Sequence, residues 1–188
     1  MARYRHYRNP TEPGICFFAT TTILDFVPVF RDPRLADLAI REVVSVHRKH
    51  RARLNAFVVM PEHLHFVTTL APDQDCIFFV GRLKTRLAEA VLPKLTETTR
   101  ALFNHQRGLN RREFWRPSFR GFQVEGDDVF WQKVEYTHLN PVRRGLVLYP
   151  EEYRWSSARL FLRGHWSEER GLSFTLEDLG PDGPAASF

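Results

Sequence analysis

Two cysteines, Cys16 and Cys76, are all that this 188-residue chain carries. So few exclude a disulfide framework and a cysteine-built zinc site. Each thiol stands in an apolar context, beside Phe17 and Ile77, as expected of buried thiols in a reducing cytoplasm. Long apolar runs are also missing. No stretch approaches the roughly 20 residues that span a bilayer, so no membrane partner is expected. The opening segment Met1 to Arg8 is basic and aromatic, and no apolar segment follows where a secretory signal would need one. Internal repeats and low-complexity tracts are absent. Acidic residues collect toward the C-terminus, from Glu168 to Asp182, which leaves the first two-thirds more basic than the average.

What is present suits one compact domain with a polyanionic partner. A hydrophobic fraction of 43% supplies one core at this length. Net charge is +5 and the sequence pI is about 9.6. Such a balance favours nucleic acid, because each neutralised phosphate releases condensed counterions. Arginines cluster at Arg3-Arg5-Arg8, at Arg48-Lys49-His50-Arg51-Ala52-Arg53, at Arg82-Lys84-Arg86 and at Arg107-Arg111-Arg112-Arg116-Arg120. Tyr4, Tyr7, Phe114, Trp115, Phe119 and Phe122 are interleaved with them. Arginine with aromatic rings suits unpaired bases better than a sealed duplex.

Residues 16–24 are β-branched and aromatic and read as a first strand. Asp32-Pro33 offers an N-cap followed by proline at the first helical position, and Leu35, Leu38, Ala39, Glu42, Val43 and Val46 keep helical spacing to about Lys49. Leu54 to Met60 reads as a buried strand, and His63 to Leu70 alternates as the next. A second helix is expected over about 75–92, with Phe79, Leu83, Leu87, Ala90 and Val91 on one face. Residues 93–113 read as a loop or irregular helical excursion, and Phe119 to Val124 as a fourth strand. A third helix opens at Gly126-Asp127-Asp128 and runs to about Leu139, with Pro141 as the expected stop. The order β-α-β-β-α-β-α implies an α+β, ferredoxin-like fold, a mainly antiparallel sheet with helices packed on one face. Domain bounds are expected at 1–165, with 166–188 an acidic, Gly- and Pro-containing tail, loosely ordered from Gly171.

Two segments carry chemistry. In Pro61-Glu62-His63-Leu64-His65-Phe66, residues two apart on a strand share a face, so His63 and His65 present two imidazoles side by side. Imidazole is the commonest metal ligand. In the third helix, Tyr136 and Asn140 stand four apart and share a face, offering a phenol and an amide oxygen to one small volume. His138 faces elsewhere.

Together these segments resemble a known family. His63-Leu64-His65 after Met60-Pro61 resembles the histidine–hydrophobe–histidine signature of HUH nucleases. Tyr136 with His138, Asn140-Pro141-Val142 and Gly145-Leu146-Val147 resembles the tyrosine helix of the REP-associated tyrosine transposases. Phe114-Trp115, Phe119 and Val124, and the later Tyr153-Arg154-Trp155-Ser156-Ser157, resemble the segments flanking that helix. The likeness runs from the first strand to about Leu160. The chain departs from the pattern at Glu62, where asparagine is more frequent, and at Arg116, where glutamine is.

The resemblance implies a single-stranded DNA endonuclease and strand transferase that cleaves and rejoins hairpin-associated DNA. Tyr136 would be the nucleophile, forming a covalent 5′-phosphotyrosine and a free 3′-hydroxyl. His63, His65 and Asn140 would hold a divalent cation. Two imidazoles and an amide oxygen leave open positions, which suits Mg²⁺ or Mn²⁺ better than structural zinc. Contacts to DNA are expected from Arg3, Tyr4, Arg5, Arg48, Lys49, Arg51, Arg53, Arg116, Arg120, Arg143 and Arg144. The protein would be cytoplasmic, and nucleoid-associated when bound to DNA, as a monomer or homodimer. Two other readings stand beside this one. A non-catalytic binder of hairpin DNA or structured RNA has no reason to keep all four site residues, and a metallohydrolase with a water nucleophile does not need the tyrosine.

Overall fold

The computed structural model of the protein describes residues 9–103 and 113–179. Strand β1 (Cys16–Thr22) leads through two short 3-10 turns into α1 (Pro33–Lys49), followed by β2 (Arg53–Met60), β3 (His63–Thr69) and α2 (Cys76–Val91). A short α3 (Glu97–Ala101) precedes β4 (Arg120–Gln123), α4 (Asp127–Arg143) and α5 (Ala158–Leu162). Two two-residue strands follow, β5 (Trp166–Ser167) and β6 (Gly171–Leu172), and a 3-10 turn (Glu177–Leu179) ends the described part. Local chemistry sets the helix starts. The Asp32 carboxylate accepts from the Arg34 N–H at 2.9 Å with Pro33 at the first helical position, and Asp75 accepts from the Phe78 N–H at 2.8 Å.

The four main strands pair antiparallel in the order β2-β3-β1-β4. This order, with the β-α-β-β-α-β connectivity, is the ferredoxin-like arrangement read from the sequence. Alternation divides each strand between the two faces of the sheet. One face carries Phe17, Phe57, Leu64 and Phe66, all buried with Phe79 and Leu83 of α2 and Ile40 and Val43 of α1. Each such side chain contributes about 1.5–3 kcal/mol by leaving water, and most of the core lies on this face.

Helix α4 occupies the opposite face. It packs on β2 and β3, with Val134 against Ala56 and Val67 and with Phe18 and Phe130 beside them. Helices therefore cover both faces, two on one side and α4 on the other. The reason is local: Ala56 and Val67 present a small apolar patch on the side away from α1 and α2, and it needs a cover of its own.

Pro141 does not stop α4, which runs on to Arg143 with the proline inside it. Gly145 ends it instead, at φ 67°. The Gly145 N–H donates to the Val142 carbonyl at 2.9 Å and the Leu146 N–H to the Pro141 carbonyl at 2.9 Å, a Schellman closure that satisfies the last carbonyls.

The segment read as a tail contributes to the core up to residue 179. Phe174 is buried and stacks on Phe57 with ring centroids 5.6 Å apart, and Leu179 is also buried. Gly171, at φ 69°, crosses β2 so closely that a Cβ there would meet the Leu54 carbonyl oxygen at 2.5 Å. Residues 180–188 lie outside the described part.

Candidate active site

The site forms where β1 and β3 face α4. Cross-strand register sets Thr20 opposite His65 and Thr22 opposite His63, so all four side chains share the α4 face. His63 and His65 are both buried, and their Nε2 atoms face each other at 3.0 Å. Each ring is held from behind through Nδ1. Thr20 Oγ1 lies 2.8 Å from His65 Nδ1, and Glu62 Oε1 lies 3.0 Å from His63 Nδ1. Burial, then the neighbouring His63, pushes the His65 pKa down to about 3, while a hydrogen bond with Asn140 opposes that shift.

Helix α4 brings the other candidate groups. Lys133, Tyr136, Asn140 and Arg143 follow one another at helical spacing along the side nearest the site. Asn140 is buried, whereas Tyr136 is 39% exposed. The Tyr136 ring stands edge-on to His65, centroids 5.5 Å apart, and edge-on to Phe18 at 5.6 Å. The Arg143 guanidinium carbon lies 5.1 Å from the centroid of the same ring. Thus the imidazoles, the phenol and the amide line one open cleft, together with Phe26, Arg31, Arg143 and Arg144.

The donor set fits a small divalent cation. Two imidazole nitrogens that share one octahedral ion at about 2.1 Å and at right angles stand about 3.0 Å apart, which is the separation found. Two ring lone pairs this close repel unless a proton or a cation lies between them. Among the described residues no three His, Cys, Asp or Glu side chains converge as a ligand set. The third protein donor would be the Asn140 amide, and further positions would be left for other ligands.

His138 faces away from the cleft. Its Nε2 lies 2.8 Å from the Ser157 hydroxyl, which in turn accepts from the Phe57 N–H at 2.9 Å. Burial lowers the His138 pKa to about 4, so the ring is a neutral anchor of α4 to the edge of β2. Residues 153–157 serve the same edge. Tyr153 Oη donates to the Val59 carbonyl at 2.9 Å and the Val59 N–H to the Trp155 carbonyl at 2.8 Å.

The basic residues separate into groups. Arg143 and Arg144 line the cleft. Arg120 stands opposite Thr20 on β4, on the site's face, and is exposed. Arg116 lies over the Phe26 ring at 4.8 Å, at the cleft's edge. Arg48, Lys49, Arg51 and Arg53 sit at the far end of β2, roughly 20 Å along the strand from His63. There Arg48 and Lys49 form the last turn of α1, where positive charge complements the helix dipole. Arg51 pairs with Asp73 at 3.0 Å, and Arg53 donates to the Glu168 carbonyl and to Thr69. Arg3, Tyr4 and Arg5 lie outside the described residues.

Sequence reading missed Thr20, Phe18 and Lys133. The Lys133 ammonium lies 4.6 Å from the Phe122 ring and 5.7 Å from the Phe18 ring, so it bridges the tyrosine's neighbour to the exposed sheet edge. Only the even-numbered alternation in β1 hinted at the first two.

Comparison with known proteins agrees with the resemblance seen in the motifs. A REP-associated tyrosine transposase of Escherichia coli (strain K12) is 28% identical over 115 residues, 61% of this chain and 59% of that protein. A solved structure described as a REP-associated tyrosine transposase bound to a REP hairpin superposes with a TM-score of 0.62 and 19% identity, covering 94% of this chain and 93% of the other. The chain is similar to the REP-associated tyrosine transposases. Its fold is theirs: the mixed architecture with a four-stranded antiparallel sheet matches that structure. A putative transposase from Deinococcus radiodurans R1 aligns more loosely, with a TM-score of 0.49 and 18% identity. No protein-family model matches the chain. It aligns with less than two thirds of the curated relative's own length. No helix among the described residues is long and apolar enough to cross a membrane.

Proposed function

We propose that this protein is a metal-dependent endonuclease and strand transferase that cuts and rejoins single-stranded DNA next to a hairpin. One observation carries the reading: the Tyr136 ring lies 5.5 Å from the His65 ring, and the His63 and His65 nitrogens converge at 3.0 Å in the same cleft. Core packing does not call for that grouping, since a solvent-reaching phenol and two facing imidazoles are costly to keep together. A hairpin substrate is supported by the superposing structure, described as bound to a REP hairpin.

His63, His65 and Asn140 would hold Mg²⁺ or Mn²⁺, which supplies Lewis-acid polarisation of a phosphate oxygen and steadies the charge developing there. Tyr136 attacks phosphorus through its phenol oxygen. The new O–P bond forms as the bond to the 3′-oxygen breaks, the phenol proton goes to solvent, and the departing 3′-oxygen takes a proton up. A 5′-phosphotyrosine and a 3′-hydroxyl result. The ester conserves the bond, so a 3′-hydroxyl can reverse the step and rejoin strands without ATP. Arg143 and Arg144 place positive charge on the wall where a phosphate enters. Phe18, Lys133 and Phe122 continue that wall as rings and a cation on which unpaired bases stack.

The test is a labelled hairpin with a single-stranded flank, incubated with Mn²⁺ and run on a denaturing gel beside Tyr136→Phe. An adduct from the wild type alone supports the nuclease. Cleavage by both without an adduct points to a water nucleophile, and binding without cleavage to a hairpin-binding protein. Activity that survives exhaustive chelation rules out the metal role.

A further inference from the structure

Glu62, in the turn between β2 and β3, is buried and takes no part in the steps above. Its Oε1 lies 3.0 Å from His63 Nδ1 and 2.9 Å from an Arg144 guanidinium nitrogen. A carboxylate paired with a guanidinium at 2.9 Å only accepts, so the proton in the Glu62–His63 bond belongs to Nδ1. With Nδ1 occupied, the ring can turn only Nε2 toward His65.

The turn is itself fixed. The Pro61 carbonyl accepts from the Phe30 N–H at 2.9 Å and the Glu62 carbonyl from the Ile23 N–H at 2.8 Å. Arg144 is the residue that caps α4, the helix bearing Tyr136 and Asn140. One carboxylate therefore joins the imidazole strand to the end of the tyrosine helix.

We propose that Glu62, braced by Arg144, is a positioning residue that fixes the orientation and tautomer of His63 and presents its Nε2 to the divalent cation. The inference rests on the metal-dependent reading given above. Outer-sphere carboxylates of this kind change metal affinity by roughly 10- to 100-fold when removed. Arg144 is more than half exposed, so its own effect is smaller and weakens with salt.

Mn²⁺ titrations of the full chain by calorimetry test this, with Glu62→Ala, Glu62→Gln, Arg144→Met and His63→Ala beside the wild type. ¹⁵N spectra of the histidine rings in the metal-free proteins report the tautomer, and thermal melts report folding. Glu62→Ala is expected to weaken Mn²⁺ binding by 10-fold or more and to mix the His63 tautomers. Glu62→Gln retains an acceptor oxygen, so it should restore the Nδ1–H tautomer and recover part of the affinity. A folded Glu62→Ala protein with wild-type affinity and an unchanged His63 spectrum overturns the positioning role while the metal reading stands. If Glu62→Ala does not fold, wild-type Mn²⁺ affinity in a Glu62→Gln protein whose His63 spectrum shows Nδ1 without its proton overturns it. If the wild type binds Mn²⁺ no better than His63→Ala, the metal reading fails and this inference with it.

Discussion

Thr20 Oγ1 lies 2.8 Å from His65 Nδ1, across the ladder that pairs β1 with β3. The contact gives His65 the same support that Glu62 gives His63, with a neutral hydroxyl in place of a carboxylate. Thr20→Val keeps the β-branched shape and removes the partner. Under the metal-dependent reading, Mn²⁺ affinity is expected to fall by about 10-fold with little change in melting temperature. Calorimetric titration checks this, and unchanged affinity would show that the hydroxyl is not needed to aim the ring.

The strip Phe18–Lys133–Phe122 is expected to hold the unpaired strand. Phe122 is 41% exposed on the edge strand, which is more than packing requires of a phenylalanine. Stacking of a base on an aromatic ring is worth about 1–3 kcal/mol by alanine substitution, so Phe122→Ala should weaken single-strand binding by roughly 10-fold. Lys133→Met should lower the salt dependence by about one phosphate contact. Fluorescence anisotropy across a salt series measures both. A Phe122→Ala protein that binds as tightly as wild type would remove the strip from the interface.

Stability should fall with acid through His47. This ring is buried between α1 and β3, with Nδ1 donating to the Val43 carbonyl at 2.6 Å and Nε2 accepting from the Thr68 hydroxyl at 2.8 Å. Burial pushes its pKa down to about 4, against the opposing bond to Val43. Between about pH 6.5 and pH 4 the unfolded chain binds a proton that the folded one excludes. The contribution is therefore full above pH 6.5 and lost as pH falls through that window. The shift corresponds to about 3 kcal/mol. Urea melts of wild type and His47→Gln across pH 4–7 should show the flatter profile in the variant; parallel profiles would contradict it.

Gly171→Ala should destabilise the fold without touching the chemistry. At φ 69° an L side chain is strained, and the added Cβ would meet the Leu54 carbonyl oxygen at 2.5 Å. A loss of about 2 kcal/mol is expected. Thermal melting measures it, and a wild-type melting temperature would show that the β5–β6 crossing is not part of the stable core.

Much of this was legible along the chain because it depends on neighbours in sequence. Asp32-Pro33 and Asp75 mark helix starts through their own side chains. The alternation of His63, Leu64, His65 and Phe66 assigns each to a face by the pleat alone. The four-residue spacing of Tyr136 and Asn140 sets them on one side of a helix. Pro141 misled because its cost is local, whereas a helix packed on the sheet tolerates one missing hydrogen bond and ends where Gly145 can take a positive φ.

Residue types and spacing determined which side chains are candidates for chemistry and the fold class that holds them. Tertiary structure alone decided that α4 covers the face away from α1 and α2, so that the phenol meets the imidazoles. It also chose Thr20 and Glu62 as their partners and sent Arg48 to Arg53 to the remote end of the sheet. Strand register, helix placement and the closing of distant segments arise from burial summed over the whole core, and no short window of sequence contains that sum.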